Sequence, residues 1–314
     1  ESLRFGATCN PWNTAYSTGG SSGGSSALVA SGVIPIAHAN DGAGSIRIPA
    51  SCCGLVGLKA SRGRIKDKEV PSYLPANILH DGVVTRSVRD TWAFHAEIEK
   101  NIPATEFPPI GDISESFPKN LKIAVLTENC LGEDSSAELV QATHDVARLC
   151  ESLGHEVEMI SNPFYKKFDA DFWLLWAHFG FLIRYSVGKE LSSKFDHTQL
   201  EQWPKYLISR HWRNIHKVPV AFWRLRRFVS QYETFMQNFD ILLTPTLGTS
   251  VPKLGFFGPE VSGQEHWERI NDFLPFTKYQ NISGAPAITL PCGTDLKGLP
   301  IGIQLSSRLG EDRL

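Results

Sequence analysis

The chain has 314 residues, a formal charge of −2 and 42% hydrophobic against 20% charged residues, the profile of an ordinary globular protein with room for a large core. That balance carries no electrostatic footprint for nucleic acid or an anionic membrane, and no apolar run approaches the roughly 20 residues of a membrane helix. The first residues lack the cationic start and apolar stretch of a secretory signal, and the six cysteines (9, 52, 53, 130, 150, 292) form no C-x-x-C pair, so free thiols and a cytoplasmic location are expected.

Residues 17–65 hold ten of the 26 glycines, which implies backbone that turns tightly or approaches a ligand closely. Within that stretch ALVAS reads as a short helix, with Ser22 or Ser25 to cap its start and Gly32 its end. VIPIAHA and GLVGLK read as buried strands. KIAVLTE (122–128) is a strand. The following segment carries Leu139, Val146, Leu149 and Leu153 on one helical face and stops at Gly154, and HEVEMIS is again a strand. That β-α-β order predicts parallel pairing. Residues 164–240 are aromatic-rich and mostly helical; Trp173, Trp176 and Phe179 are assigned to helix packing, with an apolar substrate pocket as the alternative. DILLTPT, PAITLP and PIGIQL return to strands. The fold class is α/β.

Two segments stand out chemically: Gly19-Gly20-Ser21-Ser22-Gly23-Gly24-Ser25, and Asp41-Gly42-Ala43-Gly44-Ser45-Ile46-Arg47. A flexible Gly/Ser linker would separate two folded units, yet only 18 residues precede the first run. A nucleophile elbow centred on Ser22 needs a hydrophobic strand directly before it, and NPWNTAYST is polar and turn-like. His38 lies on the strand before the second segment and reads as a packed histidine.

Together with the stretch between and after them, the two segments resemble the amidase signature family: GGSSGGSSALVASGVIPIAHANDGAGSIRIPASCCGLVGLKASRGRI. GATCNPWN, GVVTRSVRD, DILLTPT, NISGAPAITLP and GLPIGIQL extend the resemblance along nearly the whole chain, weakest over 160–235, and the details are nearest to the cyclic-amide (6-aminohexanoate cyclic dimer) hydrolase branch. The resemblance implies one amidase domain over 1–314 with a helical insert at about 164–240, and a central mixed twisted sheet surrounded by helices. It implies Ser45 as nucleophile and Ser21, preceded by a cis peptide bond, as the bridging serine. It implies an oxyanion hole of the backbone N–H groups of Gly42, Ala43, Gly44 and Ser45. Asp41, Arg47 and Ser22 are read as supports. The expected partner is a small-molecule amide, with no cofactor, metal, nucleic acid or membrane; a homodimer stays open.

In this family the base is an unprotonated lysine several tens of residues upstream of the bridging serine. The chain begins 20 residues before Ser21, so that lysine is expected outside it; Lys59 and Lys66 are not assigned its role. Helices that follow the PIGIQL strand in the family are also absent, so a fragment cut at both ends is expected. Ala43, Ala60 and Asn40 stand where glycine, proline and threonine are usual. The expected reaction is hydrolysis of a linear or cyclic carboxamide through an acyl-enzyme, the alternatives being an aminoacyl-tRNA amidotransferase A subunit or an inactive amide-binding homologue.

Overall fold

The computed structural model describes residues 1–65, 77–101, 106–111 and 118–314; Lys66 lies outside them. In chain order the elements are β1 (Cys9–Asn10), β2 (Asn13–Ser17), α1 (Gly23–Ala30), β3 (Ile36–Asp41), α2 (Arg47–Cys53), β4 (Val56–Lys59), β5 (His80–Thr85) and α3 (Val88–Asn101). There follow β6 (Lys122–Val125), α4 (Ala137–Ser152), β7 (Glu156–Met159), α5 (Phe168–Leu182), a π-helical turn (Ile183–Val187) and α6 (Gly188–Leu191). The chain closes with α7 (Gln202–Asn214), α8 (Val218–Met236), β8 (Ile241–Pro245), α9 (Gly263–Phe273), α10 (Lys278–Ser283), β9 (Ala287–Thr294) and β10 (Pro300–Ser306).

Eight strands form one mixed sheet in the order β3-β5-β4-β9-β10-β8-β6-β7, with helices packed around it. Pairing is antiparallel from β3 to β8; β8, β6 and β7 run parallel, as the β-α-β order around α4 requires. The strand of VIPIAHA begins only at Ile36. Val33 and Ile34 instead give their N–H groups to Leu28 and close α1, and Pro35 has no N–H to give.

Helix α4 corrects one expectation. It buries Leu139, Thr143 and Ala147, one residue per turn, while Leu149 and Leu153 are exposed. The buried arc is centred on the small residues, and Leu153 lies beyond the last turn. None of the described helices is long and apolar enough to cross a membrane.

All seven residues of α2 are buried. The helix lies this close to the sheet because the strands beneath it carry glycines. A Cβ at Gly57 would stand 2.7 Å from that of Ala50, and one at Gly302 2.5 Å from Ser51 Oγ. Overpacking of this kind destabilises by about 1–3 kcal/mol. The helix ends on Gly54 in the left-handed conformation (φ 67°). Its last carbonyls are met from the β1–β2 hairpin: Asn10 Nδ2 donates to Cys52 O (2.8 Å) and Trp12 Nε1 to Cys53 O (2.9 Å). The NPWN segment is therefore a hairpin that caps a buried helix.

His95 on α3 is 1% exposed, and neither ring nitrogen has a hydrogen-bond partner among the described residues. Burial pushes its pKa down to about 4, with Arg64 adding to that effect and Asp312 opposing it. In the unfolded chain it titrates near 6.5. The neutral ring therefore contributes fully above that pH, and the contribution is lost as pH falls towards 4, a change of about 3 kcal/mol. In urea unfolding, the stability lost between pH 7 and pH 4 should be smaller by about that amount in His95→Leu than in the parent; equal losses would show that His95 does not titrate this way.

Candidate active site

Strand β3 delivers Asp41 to the edge of a tight turn, residues 42–45, from which α2 departs. The Asp41 carboxylate folds back over that turn. It accepts hydrogen bonds from Gly44 N (2.7 Å) and Ile46 N (3.2 Å), and from Arg47 through Nε and Nη2 (both 2.9 Å). Both side chains are fully buried. Burial alone would raise the Asp41 pKa, but the Arg47 charge, with hydrogen bonds from Arg47 and Asn281, holds it well below the usual carboxylate range.

Arg47 has five N–H donors, and the protein supplies five acceptors. Besides the two bonds to Asp41, Nη1 reaches Gln280 Oε1 (3.1 Å) and Gln304 Oε1 (2.7 Å), and Nη2 reaches Asn281 Oδ1 (2.7 Å). Asn281 returns its amide to the Asp41 carbonyl (3.0 Å) and carboxylate (2.9 Å) and to Ile78 O (3.1 Å). Gln304 donates on to Thr244, and Gln280 to Ser306. Asp41 and Arg47, read as supports from the sequence, form a fully buried ion pair. Gln280, Asn281 and Gln304 were not foreseen; Gln304 has a signal, an uncharged polar residue inside the apolar run PIGIQL, whereas Gln280 and Asn281 lie in the mixed segment KYQNIS and have none.

Two further contacts fix the turn. Thr277 Oγ1 donates to Ala43 O at 2.6 Å. Gly44 has φ 122°, and a Cβ there would fall 2.6 Å from Thr277 Oγ1, so only glycine fits. At Gly42 a Cβ would lie 2.9 Å from both Leu79 Cδ2 and Trp176 Cη2. The indole of Trp176 thus rests on the turn, stacked in its own right on Phe172 and edge-on to Phe179. Trp173, by contrast, is 2% exposed, with Nε1 bonded to Asn271, and belongs to the core.

The serine run approaches the same place from the other side. The Gly20–Ser21 peptide bond is cis, and Ser21 is exposed. Ser22 begins α1, and its hydroxyl lies 3.3 Å from Asn40 N and 3.4 Å from Asn40 O; Ser25 Oγ donates to His38 O at 2.7 Å. The start of α1 is therefore laced to β3 one residue before Asp41, while half-buried Ser45 sits four residues after Asp41. His38 is not packed: its side chain is 70% exposed and pairs with Asp81 at 3.1 Å, because it lies on the solvent side of β3.

The oxyanion-hole expectation needs one correction. The N–H of Gly44 is taken by Asp41 Oδ1, so it belongs to the turn's internal scaffold. Lys59 is buried and donates to Ala60 O at 2.8 Å; burial, then the Arg47 charge, pushes its pKa well below that of a free lysine. Among the described residues no group of three or more His, Cys, Asp or Glu side chains is placed to hold a metal. A cavity of about 330 Å³ opens beside Gly19, Gly20 and Ile48, walled by Trp203, Phe257, Phe273 and the ring of His266. Burial, above all, lowers the His266 pKa to about 4, and its ring stacks on Trp203 at 4.4 Å.

Removing the Asp41 charge leaves Arg47 buried without its counter-ion. Asp41→Asn should lower the free energy of unfolding by about 3–5 kcal/mol, read by urea denaturation at pH 7. A loss under 1 kcal/mol would show that the amides alone hold the guanidinium.

The family model described as Amidase matches residues 1–314. The Mycobacterium tuberculosis protein AmiC is 42% identical over 315 residues; the alignment takes in 100% of this chain and 66% of AmiC, so the chain spans just under two thirds of that relative's length. The 6-aminohexanoate-cyclic-dimer hydrolase of Paenarthrobacter ureafaciens is 32% identical over 339 residues, covering 100% of this chain and 68% of the hydrolase. A solved structure of 6-aminohexanoate cyclic dimer hydrolase complexed with substrate superposes with a TM-score of 0.85 at 29% identity, over 99% of this chain and 68% of the other. With the fold, the glycine turn and the serine run in agreement, the chain belongs to the amidase family.

Proposed function

We propose that the 42–47 turn is the acyl-transfer site of a serine amidohydrolase acting on a linear or cyclic carboxamide. The observation that carries this reading is the fixed turn itself: Ser45 is presented half-buried at the head of α2 by backbone that Asp41 and Thr277 clamp on two sides. Such rigidity is what oxyanion stabilisation requires, because donors that need not reorganise are worth roughly 3 kcal/mol each. Membership of the amidase family, and a relative named for cyclic-amide hydrolysis, support the choice of substrate class.

In the proposed reaction Ser45 Oγ attacks the amide carbon and its proton passes to Ser21. The N–H groups of Gly42, Ala43 and Ser45 receive the oxyanion, that of Gly44 being engaged by Asp41. The C–N bond then breaks, the amine leaves with the proton, and water hydrolyses the acyl-enzyme. The base that takes the proton from Ser21 is the lysine which the family carries upstream of its serine run. Lys59 and Lys278 are not assigned to that role, since their amines are directed at Ala60 O and Asp169. The 330 Å³ cavity beside Gly20 offers aromatic walls to the apolar part of the substrate.

Ser45→Ala should abolish both hydrolysis of 6-aminohexanoate cyclic dimer or a short linear amide and labelling by a fluorophosphonate, and Ser21→Ala should slow both strongly. Full activity in Ser45→Ala would refute the mechanism. Thr277→Val, which frees the Ala43 carbonyl, should lower kcat by about tenfold with little change in KM; a change in KM alone would place Thr277 in substrate binding instead.

A further inference from the structure

Helix α5 sets Trp176 against Gly42 and turns Ala170, Leu174 and Ala177 towards a second cavity, of about 300 Å³, closed by α7, α8 and Trp267 of α9. Four cations converge on its lining from four places in the chain: Lys167 ahead of α5, Arg210 in α7, Lys217 between α7 and α8, and Arg224 in α8. Asp171 is the single carboxylate among the described lining residues. Arg224 already grips it with two hydrogen bonds of 2.5 and 2.6 Å.

Of the other three cations, two meet neutral groups and one stands at the rim. Arg210 donates to Tyr206 Oη (3.2 Å) and lies 3.8 Å over the Trp267 ring. Lys217 donates to Asn214 Oδ1 (2.9 Å), and Lys167 is exposed at the rim. The surrounding chain does not offset them: from Gln202 to Tyr232 there are seven lysines and arginines and no acid, in a protein whose net charge is −2. Like charges drawn from separate helices into one concavity focus a positive potential there, with low-dielectric walls to sharpen it. Those walls are largely apolar, from Leu174, Ala177 and the indoles of Trp173 and Trp267.

We propose that this cavity binds a small organic anion, its phosphate or carboxylate held by Lys167, Arg210 and Lys217 and its apolar body laid against Leu174 and Trp267. Bidentate geometry from Arg210 and point charges from the two lysines suit a tetrahedral or planar oxyanion equally. The apolar wall is what separates an organic anion from inorganic phosphate as the occupant. The site lies on the other side of α5 from the Gly42 turn and does not depend on the role given to Ser45.

Phenyl phosphate titrated by calorimetry into the wild-type chain at constant ionic strength should saturate at one site per molecule. Inorganic phosphate should bind at least about tenfold more weakly, and phenol should give no saturable heat. Lys167→Gln/Lys217→Gln, at two exposed positions, should weaken phenyl phosphate binding by about tenfold or more with unchanged urea unfolding. Lys217→Arg should retain most of the affinity. Heats that never saturate, or a double variant that binds as tightly as the wild type, would overturn the site. Equal affinity for phenyl phosphate and inorganic phosphate would overturn the assignment of an organic occupant.

Discussion

The architecture depends on one buried charge. Arg47 opens a helix whose every residue is inside the protein, and a guanidinium there is tolerable only if each of its N–H groups finds an acceptor. Asp41 supplies two of the five and the neutralising charge; Gln280, Asn281 and Gln304 supply the rest. These acceptors come from β3, α10 and β10, elements 233 and 257 residues away from Arg47 along the chain in two of the cases. Satisfying one side chain therefore ties the edge strand β3, helix α10 and the interior strand β10 together at the start of α2, and glycines 57 and 302 allow the helix to descend far enough to be reached.

The same arrangement clamps the 42–45 turn from several directions. Within five consecutive residues, Thr277 holds the Ala43 carbonyl, Lys278 meets Asp169 at 2.7 Å, Gln280 holds Arg47 and Asn281 holds Asp41. Helix α10 is fully buried and six residues long, so these contacts all rest on one short element. Asp169 stands in the first turn of α5, the helix that lays Trp176 on Gly42. The turn is thus held from below by the Arg47 network and bounded from above by an aromatic wall, and both are referred to one six-residue helix. Displacing α5 would separate a buried lysine from its carboxylate, which is costly in a low-dielectric interior.

How much of this was legible depended on the range of the interaction. The glycine-serine run and the 41–47 turn were readable because their constraint is local: glycine at 44 answers a backbone angle, and serine and aspartate sit next to the turns they serve. Strands with continuous apolar runs, such as β6, β8 and β10, were placed to within a residue or two at their starts. Strand β5, with its polar first half His80-Asp81-Gly82, was not assigned, although it pairs with both β3 and β4 and carries no alternation a pattern could catch. Helix α2 was hidden for a related reason, since a helix buried on all sides has no amphipathic period. His38 was read as packed because its neighbours are apolar, but alternation along β3 turns it to solvent while Ala39 goes inward.

Net charge is silent on where the charge lies. A total of −2 averages over a chain in which the stretch from Gln202 to Tyr232 carries seven cations and no acid, and averaging removes the information that matters for recognition, which is where the charge lies. Asp171 illustrates the local balance. It is 4% exposed, stands in the first turn of α5 where the helix dipole favours a carboxylate, and holds Arg224 by two bonds. One acid so placed neutralises one cation; it does nothing for Arg210 or Lys217, whose partners are a phenol, an indole and an amide. The helical pair α7–α8 is therefore built with a surplus of positive charge at the concave junction with α5, and that surplus follows from the three-dimensional meeting of the helices rather than from any single segment of sequence.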